Sequence, residues 1–157
     1  MLQVSDEPIA RFFAHKVPPS WFSGPPTVEW DDEEILCVGT IAPPSDATRF
    51  REATRAERMA IAREAEARFG RKVSWGVHHD GVETLFTTQR APVTSGLGFR
   101  ERAVLDTLMD AGVARSRSDA VTWCIKLVER HEGEWLGELR EALSGVDRAV
   151  GEGPTLL

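Results

Sequence analysis

Residues 92–121 have the sequence PVTSGLGFRERAVLDTLMDAGVARSRSDAV, the most strongly patterned part of the chain. Apolar residues stand at alternate positions over 93–99, which predicts a short strand. Residues 100–111 carry apolar side chains at helical spacing, and Gly112 lies in a tight turn before a second helix that begins at Ser116. We therefore predict a strand, a helix, a turn and a helix in this order.

The second helix has a marked start and a long apolar face. Ser116-Arg117-Ser118-Asp119 is a capping-box pattern, in which the Ser116 hydroxyl accepts from a free backbone amide of the first turn. The apolar residues that follow at steps of three, four or seven are Val121, Ile125, Val128, Trp135, Leu139, Ala142 and Val146. Such a stripe is typical of a helix that packs on another helix or on a second copy of itself. Gly133 favours a break within this helix.

Residues 92 to about 131 resemble the ribbon-helix-helix family of bacterial DNA-binding proteins, and RSRSDA at the start of the second helix is the most specific part of the match. The resemblance implies a homodimer whose two strands pair antiparallel and enter the major groove. It also implies that the N-terminus of the second helix holds a DNA phosphate, as its free amides and positive dipole end favour.

The strand alternation sorts the positions around this expected dimer. Val93, Leu97 and Phe99 should face the helices, while the alternate positions face outward. The predicted DNA-contacting residues are Thr94, Gly96, Gly98, Arg100, Arg115, Ser116, Arg117 and Ser118. The predicted dimer-interface residues are Val93, Leu97, Phe99, Val121, Ile125 and Val128. Because glycine has no side chain, base contacts from this strand are limited to Thr94 and Arg100.

Upstream, residues 1–91 predict an α+β unit of two hairpins and a helix. The predicted elements are strands at 27–30 and 35–41, a helix from Asp46 to Phe69 with Gly70 as its C-cap, and strands at 72–78 and 82–88 around the Asp80-Gly81 turn. Residues 1–26 hold five of the nine prolines, with four aromatic residues between them. We expect this stretch to be an extended strap over the core.

Composition excludes several classes of protein. The chain has 157 residues and a net charge of −6, and no apolar run is long enough to cross a bilayer. The acidic N-terminus lacks the features of a signal peptide, which predicts a soluble, cytoplasmic protein. Residues 92–131 carry six basic and five acidic side chains, so this block is the least acidic. Cys37 and Cys124 lie in apolar surroundings and are interpreted as core residues.

Three charged clusters have ordinary interpretations. Arg51, Arg55 and Arg58 share a helix face that could contact phosphate, but a solvated face is favoured. His78-His79 beside a hairpin turn and the acidic run 31–34 lack the spacing of a metal site. We predict no catalytic residue, no metal and no cofactor, since no nucleophile elbow or phosphate-binding loop is present.

These observations predict an α+β protein with an N-terminal unit over 1–91, a ribbon-helix-helix-like dimerisation module with an extended final helix over 92–150, and a flexible tail over 151–157. The predicted function is that of a homodimeric, non-enzymatic protein that binds double-stranded DNA and regulates transcription. One alternative is an interaction protein that keeps the dimer but binds another macromolecule. Another is an enzyme or receptor with a pocket near Trp30, Trp75 and His78.

Overall fold

The computed structural model describes residues 7–87 and 89–152, and its contacts divide the chain into two compact units at the Ala91–Pro92 junction. The N-terminal unit combines a four-stranded sheet with three helices, and the C-terminal unit contains three helices. The α+β class predicted from the sequence is therefore confirmed. None of the helices over the described ranges is long and apolar enough to cross a bilayer.

The sheet of the N-terminal unit has the strand order β1-β2-β3-β4. The strands are β1 (Thr27–Trp30), β2 (Glu34–Thr40), β3 (Lys72–His79) and β4 (Val82–Leu85). Both predicted hairpins are present, since β1 pairs antiparallel with β2 and β3 pairs antiparallel with β4. The two hairpins join through β2 and β3, which pair in parallel. Asp80 and Gly81 have positive φ angles of 50° and 75° in the second turn, as the Asp-Gly pattern predicts.

The predicted helix between β2 and β3 is interrupted at Thr54. It forms two helices, α2 (Ala47–Ala53) and α3 (Arg55–Phe69). A further helix, α1 (Glu7–Lys16), precedes them in the chain. Asp46 caps α2 by accepting from the Arg49 amide at 2.8 Å. At the interruption, the buried Thr54 hydroxyl donates to the Phe50 carbonyl at 2.7 Å. Gly70 ends α3 with φ 67°, as predicted.

Helix α1 corrects the predicted extended strap. Ile9, Phe12 and Phe13 are buried, and their spacing places them on one face of α1, while Val17 is buried just after the helix ends. Pro8 is the second residue of α1, in the first turn, where backbone amides have no acceptor within the helix, so its missing donor removes no helical hydrogen bond. Residues 17–26, where the other prolines lie, form no helix or strand, and residues 1–6 of the predicted strap lie outside the described part.

Aromatic rings join α1 to the sheet, and join the segment that follows α1 to α2. The Phe13 ring lies 5.9 Å from the Trp75 ring on β3, and the Trp21 ring lies 5.8 Å from that of Phe50. Cys37 on β2 is fully buried in this core, as predicted, and burial raises the pKa of its thiol to about 12. The thiol therefore stays protonated near neutral pH, which agrees with a packing role.

The C-terminal unit consists of α4 (Phe99–Asp110), α5 (Arg117–His131) and α6 (Gly133–Glu152). The predicted strand over 93–99 is not formed, because a strand needs a paired neighbour and residues 91–98 have none in the single chain. Phe99 instead begins α4. The predicted final helix is divided at Glu132, next to Gly133. Helix α6 includes Gly151 and Glu152 of the predicted tail, and residues 153–157 lie outside the described part.

A substitution at Gly39 can test how tightly the core of the N-terminal unit is packed. A Cβ atom at Gly39 would lie 2.3 Å from the Phe22 ring, whereas a Cβ at Gly24 would have no neighbour within 4 Å. We expect Gly39→Ala to lower the free energy of unfolding by about 1–3 kcal/mol, because the ring must move. Gly24→Ala is the matched control. Urea unfolding measures both, and equal midpoints would contradict this packing.

Candidate functional site

The C-terminal unit has a very small core. Among its described residues the buried apolar side chains are Leu105, Ala114 and Ala120. Leu97, Leu108, Met109 and Cys124 pack around them and are partly buried. Cys124 is thus at the edge of the core, whereas the sequence predicted that it would lie inside. So few buried side chains supply little hydrophobic stabilisation for three helices.

The side chains predicted to form a dimer interface are mostly exposed. Val93 is 88%, Phe99 80% and Ile125 64% exposed, and Val121 and Val128 are also exposed. Leu97 differs, because it packs on the edge of the core. The structure thus places five of the six predicted residues on the surface of the single chain, where apolar side chains are free to meet another molecule.

An apolar groove of about 740 Å³ lies between the three helices. Its apolar lining includes Leu97, Val104, Val121, Ile125, Val128 and Leu136. Glu101, Glu129 and Arg140 supply the charged part of the lining. The groove brings together four of the predicted interface residues. Val104 and Leu136 were not predicted to be part of it, although both are apolar residues on the predicted helices.

The apolar surface continues along α6. Trp135, Leu139, Leu143, Val146 and Val150 are exposed, and no residue of α6 is buried. Their spacing of three or four residues places them along one face of the helix. The amphipathic stripe predicted from the sequence is therefore present, and its apolar side is left uncovered by the single chain.

The start of α5 has the predicted N-cap. The Ser116 hydroxyl accepts from the Asp119 amide at 3.1 Å, and its backbone is extended with φ −150° and ψ 166°. Helix α5 begins at the next residue, Arg117. This end of the helix therefore has the free amides and the dipole orientation that favour an anion.

Arg117 is held by a contact that sequence analysis missed. Its Nε and Nη2 donate to Oδ1 and Oδ2 of Asp106 at 2.9 and 3.0 Å, a bidentate pair between α5 and α4. This hydrogen bond lowers the pKa of Asp106. The stabilisation from the pair is therefore present above the ordinary carboxyl pKa and is lost as the pH falls through the lowered value. Arg117 is thus less available to a phosphate than predicted, while Arg115 has no acidic neighbour within 4 Å among the described residues.

The segment before α4 does not show the predicted alternation, because Val93 and Phe99 are exposed and only Leu97 is partly buried. Thr94, Gly96, Gly98 and Arg100 are exposed, and Leu97 between them packs on the core. The Leu97 carbonyl accepts from the Arg102 guanidinium, which ties the segment to the first turn of α4. The predicted DNA-contacting positions of this segment are exposed, but so are most of the positions predicted to face inward.

The two histidines of β3 have separate carboxylate neighbours. His78 Nε2 lies 3.4 Å from Glu83 Oε2, and His79 Nδ1 lies 3.6 Å from Asp80 Oδ2. Over the described ranges, no three His, Cys, Asp or Glu side chains are grouped as a metal site would require.

The N-cap of α5 gives a direct test of this local structure. Ser116→Ala removes the acceptor for the Asp119 amide, so we expect the C-terminal unit to lose about 1 kcal/mol of stability. Ser118→Ala is the matched control, since that side chain does not cap the helix. Thermal unfolding followed by circular dichroism measures both changes, and equal losses would show that Ser116 has no special role.

Comparison with known proteins gives the same two-part organisation. Residues 7–85 match the family model of the Rv1265-like protein N-terminal domain, and residues 98–150 match that of the Mb1296 C-terminal domain. The uncharacterised proteins Rv1265 of Mycobacterium tuberculosis and Mb1296 of Mycobacterium bovis are each 50% identical over 159 residues, which cover 94% of this chain and 70% of each relative. No solved structure has significant similarity to the chain. The chain therefore belongs to the Rv1265-like protein family.

Proposed function

We propose that this protein is a homodimeric DNA-binding protein whose C-terminal unit acts in the manner of a ribbon-helix-helix module and regulates transcription. The observation that carries the proposal is the unpaired segment 93–98 in front of a helix pair with an exposed apolar groove. A second copy can supply the missing strand partner and cover the groove at the same time.

The small core supports the dimer. A unit with three fully buried apolar residues gains little from folding alone, and its exposed valines, isoleucine and tryptophans form an extensive apolar surface. A short strand is also not stable without a partner. Pairing of two copies through 93–99, α5 and α6 buries this surface and satisfies the free backbone groups of the segment.

The DNA contact rests on the solvent side of the segment and on the start of α5. Thr94 and Arg100 can reach base edges, and the free amides near Ser118 together with Arg115 can hold a phosphate. The segment 92–131 has a net charge of +1 in a chain of net charge −6. Basic residues thus lie in the block where DNA contact is proposed, which matters more for binding than the total charge.

A second candidate is an interaction protein that keeps the dimer and binds another macromolecule. Two observations favour it: Gly96 and Gly98 offer no side chain to a base, and Arg117 is already paired with Asp106. Both reduce base readout and phosphate contact relative to the ribbon-helix-helix family. The two candidates share the dimer and differ in their affinity for DNA.

The dimer is tested with Ile125→Asp, since Ile125 lines the groove and is 64% exposed. A charge there costs little in the isolated chain but must be buried in the dimer. We expect a monomer in sedimentation velocity, and faster thiol labelling of Cys124 in the opened groove. Val82→Asp is the control, because Val82 is 62% exposed on β4. A monomeric wild-type protein would contradict the proposal.

DNA binding is tested by titrating random duplex DNA at several salt concentrations. We expect Arg115→Ala to lower the salt slope by about one unit. Asp106→Asn should strengthen binding, because it removes a negative charge and releases Arg117 for a phosphate. Arg148→Ala on α6 is the control. Circular dichroism checks that each variant is folded.

The same titration separates the two candidates. Gly96→Arg adds a basic side chain where nothing lies within 4 Å of the added Cβ. DNA binding by Gly96→Arg together with no binding by the wild-type protein would favour the interaction protein. DNA binding by the wild-type protein that Gly96→Arg weakens would favour the DNA-binding protein, because the backbone at Gly96 must then approach the DNA closely.

A further inference from the structure

Arg58 on α3 is a buried cation, which corrects its interpretation as part of a solvated helix face. The residue is only 5% exposed. Its Nε donates to the Thr54 hydroxyl at 2.9 Å, and its Nη2 donates to the Arg51 carbonyl at 2.7 Å. The guanidinium carbon lies 4.9 Å from the centre of the Phe86 ring. These contacts fix the position and orientation of the guanidinium group.

No carboxylate balances this charge. In the part of the chain that the structure describes, the ion pairs include none with Arg58. Burial lowers its pKa, and the neighbouring charges of Arg51 and Arg55 lower it further. The hydrogen bonds of the Arg58 guanidinium to the described residues come from Nε and Nη2, and none comes from Nη1. Buried charges are normally paired, so the buried Arg58, which has two exposed arginines beside it and no acid partner among the described residues, is an unusual arrangement.

The three arginines line a pocket of about 420 Å³ within the N-terminal unit. Thr48 and Thr87 add polar groups to the lining, and Phe86 and Trp75 add aromatic surface. Glu52 is the one acidic residue of this lining, so the pocket keeps a net positive charge. A volume of this size is within the usual range for small-molecule sites. Trp30 and His78, which the sequence suggested for a pocket with Trp75, do not line it.

We propose that this pocket binds a small organic phosphate with a planar aromatic part. The phosphate would pair with Arg58 and its two neighbours, which supplies the missing negative charge. The aromatic part would contact the Phe86 and Trp75 side of the pocket, where rings and guanidinium planes favour stacking. The site lies within the N-terminal unit, so this binding does not depend on DNA binding by the C-terminal unit.

The experiment uses the full chain in phosphate-free buffer at constant ionic strength. Phenyl phosphate is the probe. Glycerol 3-phosphate and inorganic phosphate lack its aromatic ring, and phenol lacks its phosphate. Isothermal titration calorimetry gives the affinities, and thermal unfolding gives the shift in Tm on binding. We expect phenyl phosphate to bind most tightly and to raise Tm.

Three variants locate the site. Arg58→Met keeps the volume and removes the unbalanced charge, so we expect it to raise the Tm of the free protein and to abolish the Tm shift with phenyl phosphate. Arg55→Ala should weaken binding by about tenfold through loss of one charge-assisted contact. Arg63→Ala is the control, because Arg63 is an exposed residue of α3 that does not line the pocket.

Several outcomes would overturn the proposal. They are no binding of phenyl phosphate at millimolar concentration, equal binding of phenol, and equal weakening by Arg55→Ala and Arg63→Ala. Equal affinity for inorganic phosphate would also overturn it, because the aromatic part would then contribute nothing. Should Arg58→Met fail to fold, the comparison of Arg55→Ala with Arg63→Ala still decides the case.

Discussion

The parallel pairing of β2 with β3 is the interaction on which the N-terminal unit depends. It runs over seven residue pairs, from Glu34 with Lys72 to Thr40 with His78. Parallel strands cannot be joined by a tight turn, so the chain must cross over the sheet between them, and α2 and α3 form this crossover. Ile35, Cys37 and Val77 of the sheet share one core cluster with apolar residues of α2 and α3, and α3 packs against β3. The arginine-lined pocket is formed where these helices meet the end of β4.

The C-terminal unit, in contrast to the N-terminal unit, buries few apolar side chains. Its helices are well defined by caps and turns, yet their apolar faces have few partners within the chain. Local signals therefore determine where the helices begin and end, while much of their apolar surface stays uncovered in the single chain. Accordingly, α4 and α5 form in the single chain, whereas the predicted strand over 93–99 does not.

Sequence reasoning succeeded where structure depends on neighbouring residues. The Asp80-Gly81 turn and the caps at Gly70 and Ser116 were predicted because each follows from local backbone chemistry. Helix α1 was missed because the prolines of the first 26 residues were given more weight than the spacing of the apolar residues among them. Proline is compatible with the first turn of a helix, so its count was a poor guide.

The errors in the candidate sites have a different cause. The pairing of Arg117 with Asp106 and the burial of Arg58 depend on which elements pack together, and no local pattern contains that information. The strand over 93–99 was predicted from its alternation, but the hydrogen bonds that define a strand must come from another segment. Where partners are distant in sequence or belong to a second chain, composition and spacing leave the outcome open.

The two edges of the sheet also restrict how copies of the protein can associate. β1 and β4 have four residues each, and Pro25-Pro26 directly precede β1, so neither edge presents a long row of free backbone groups. Glu83 places a charge on β4. Short, proline-flanked or charged edges oppose the addition of further strands and so protect against open-ended β-aggregation. Growth of the sheet of the N-terminal unit into a fibril is therefore disfavoured.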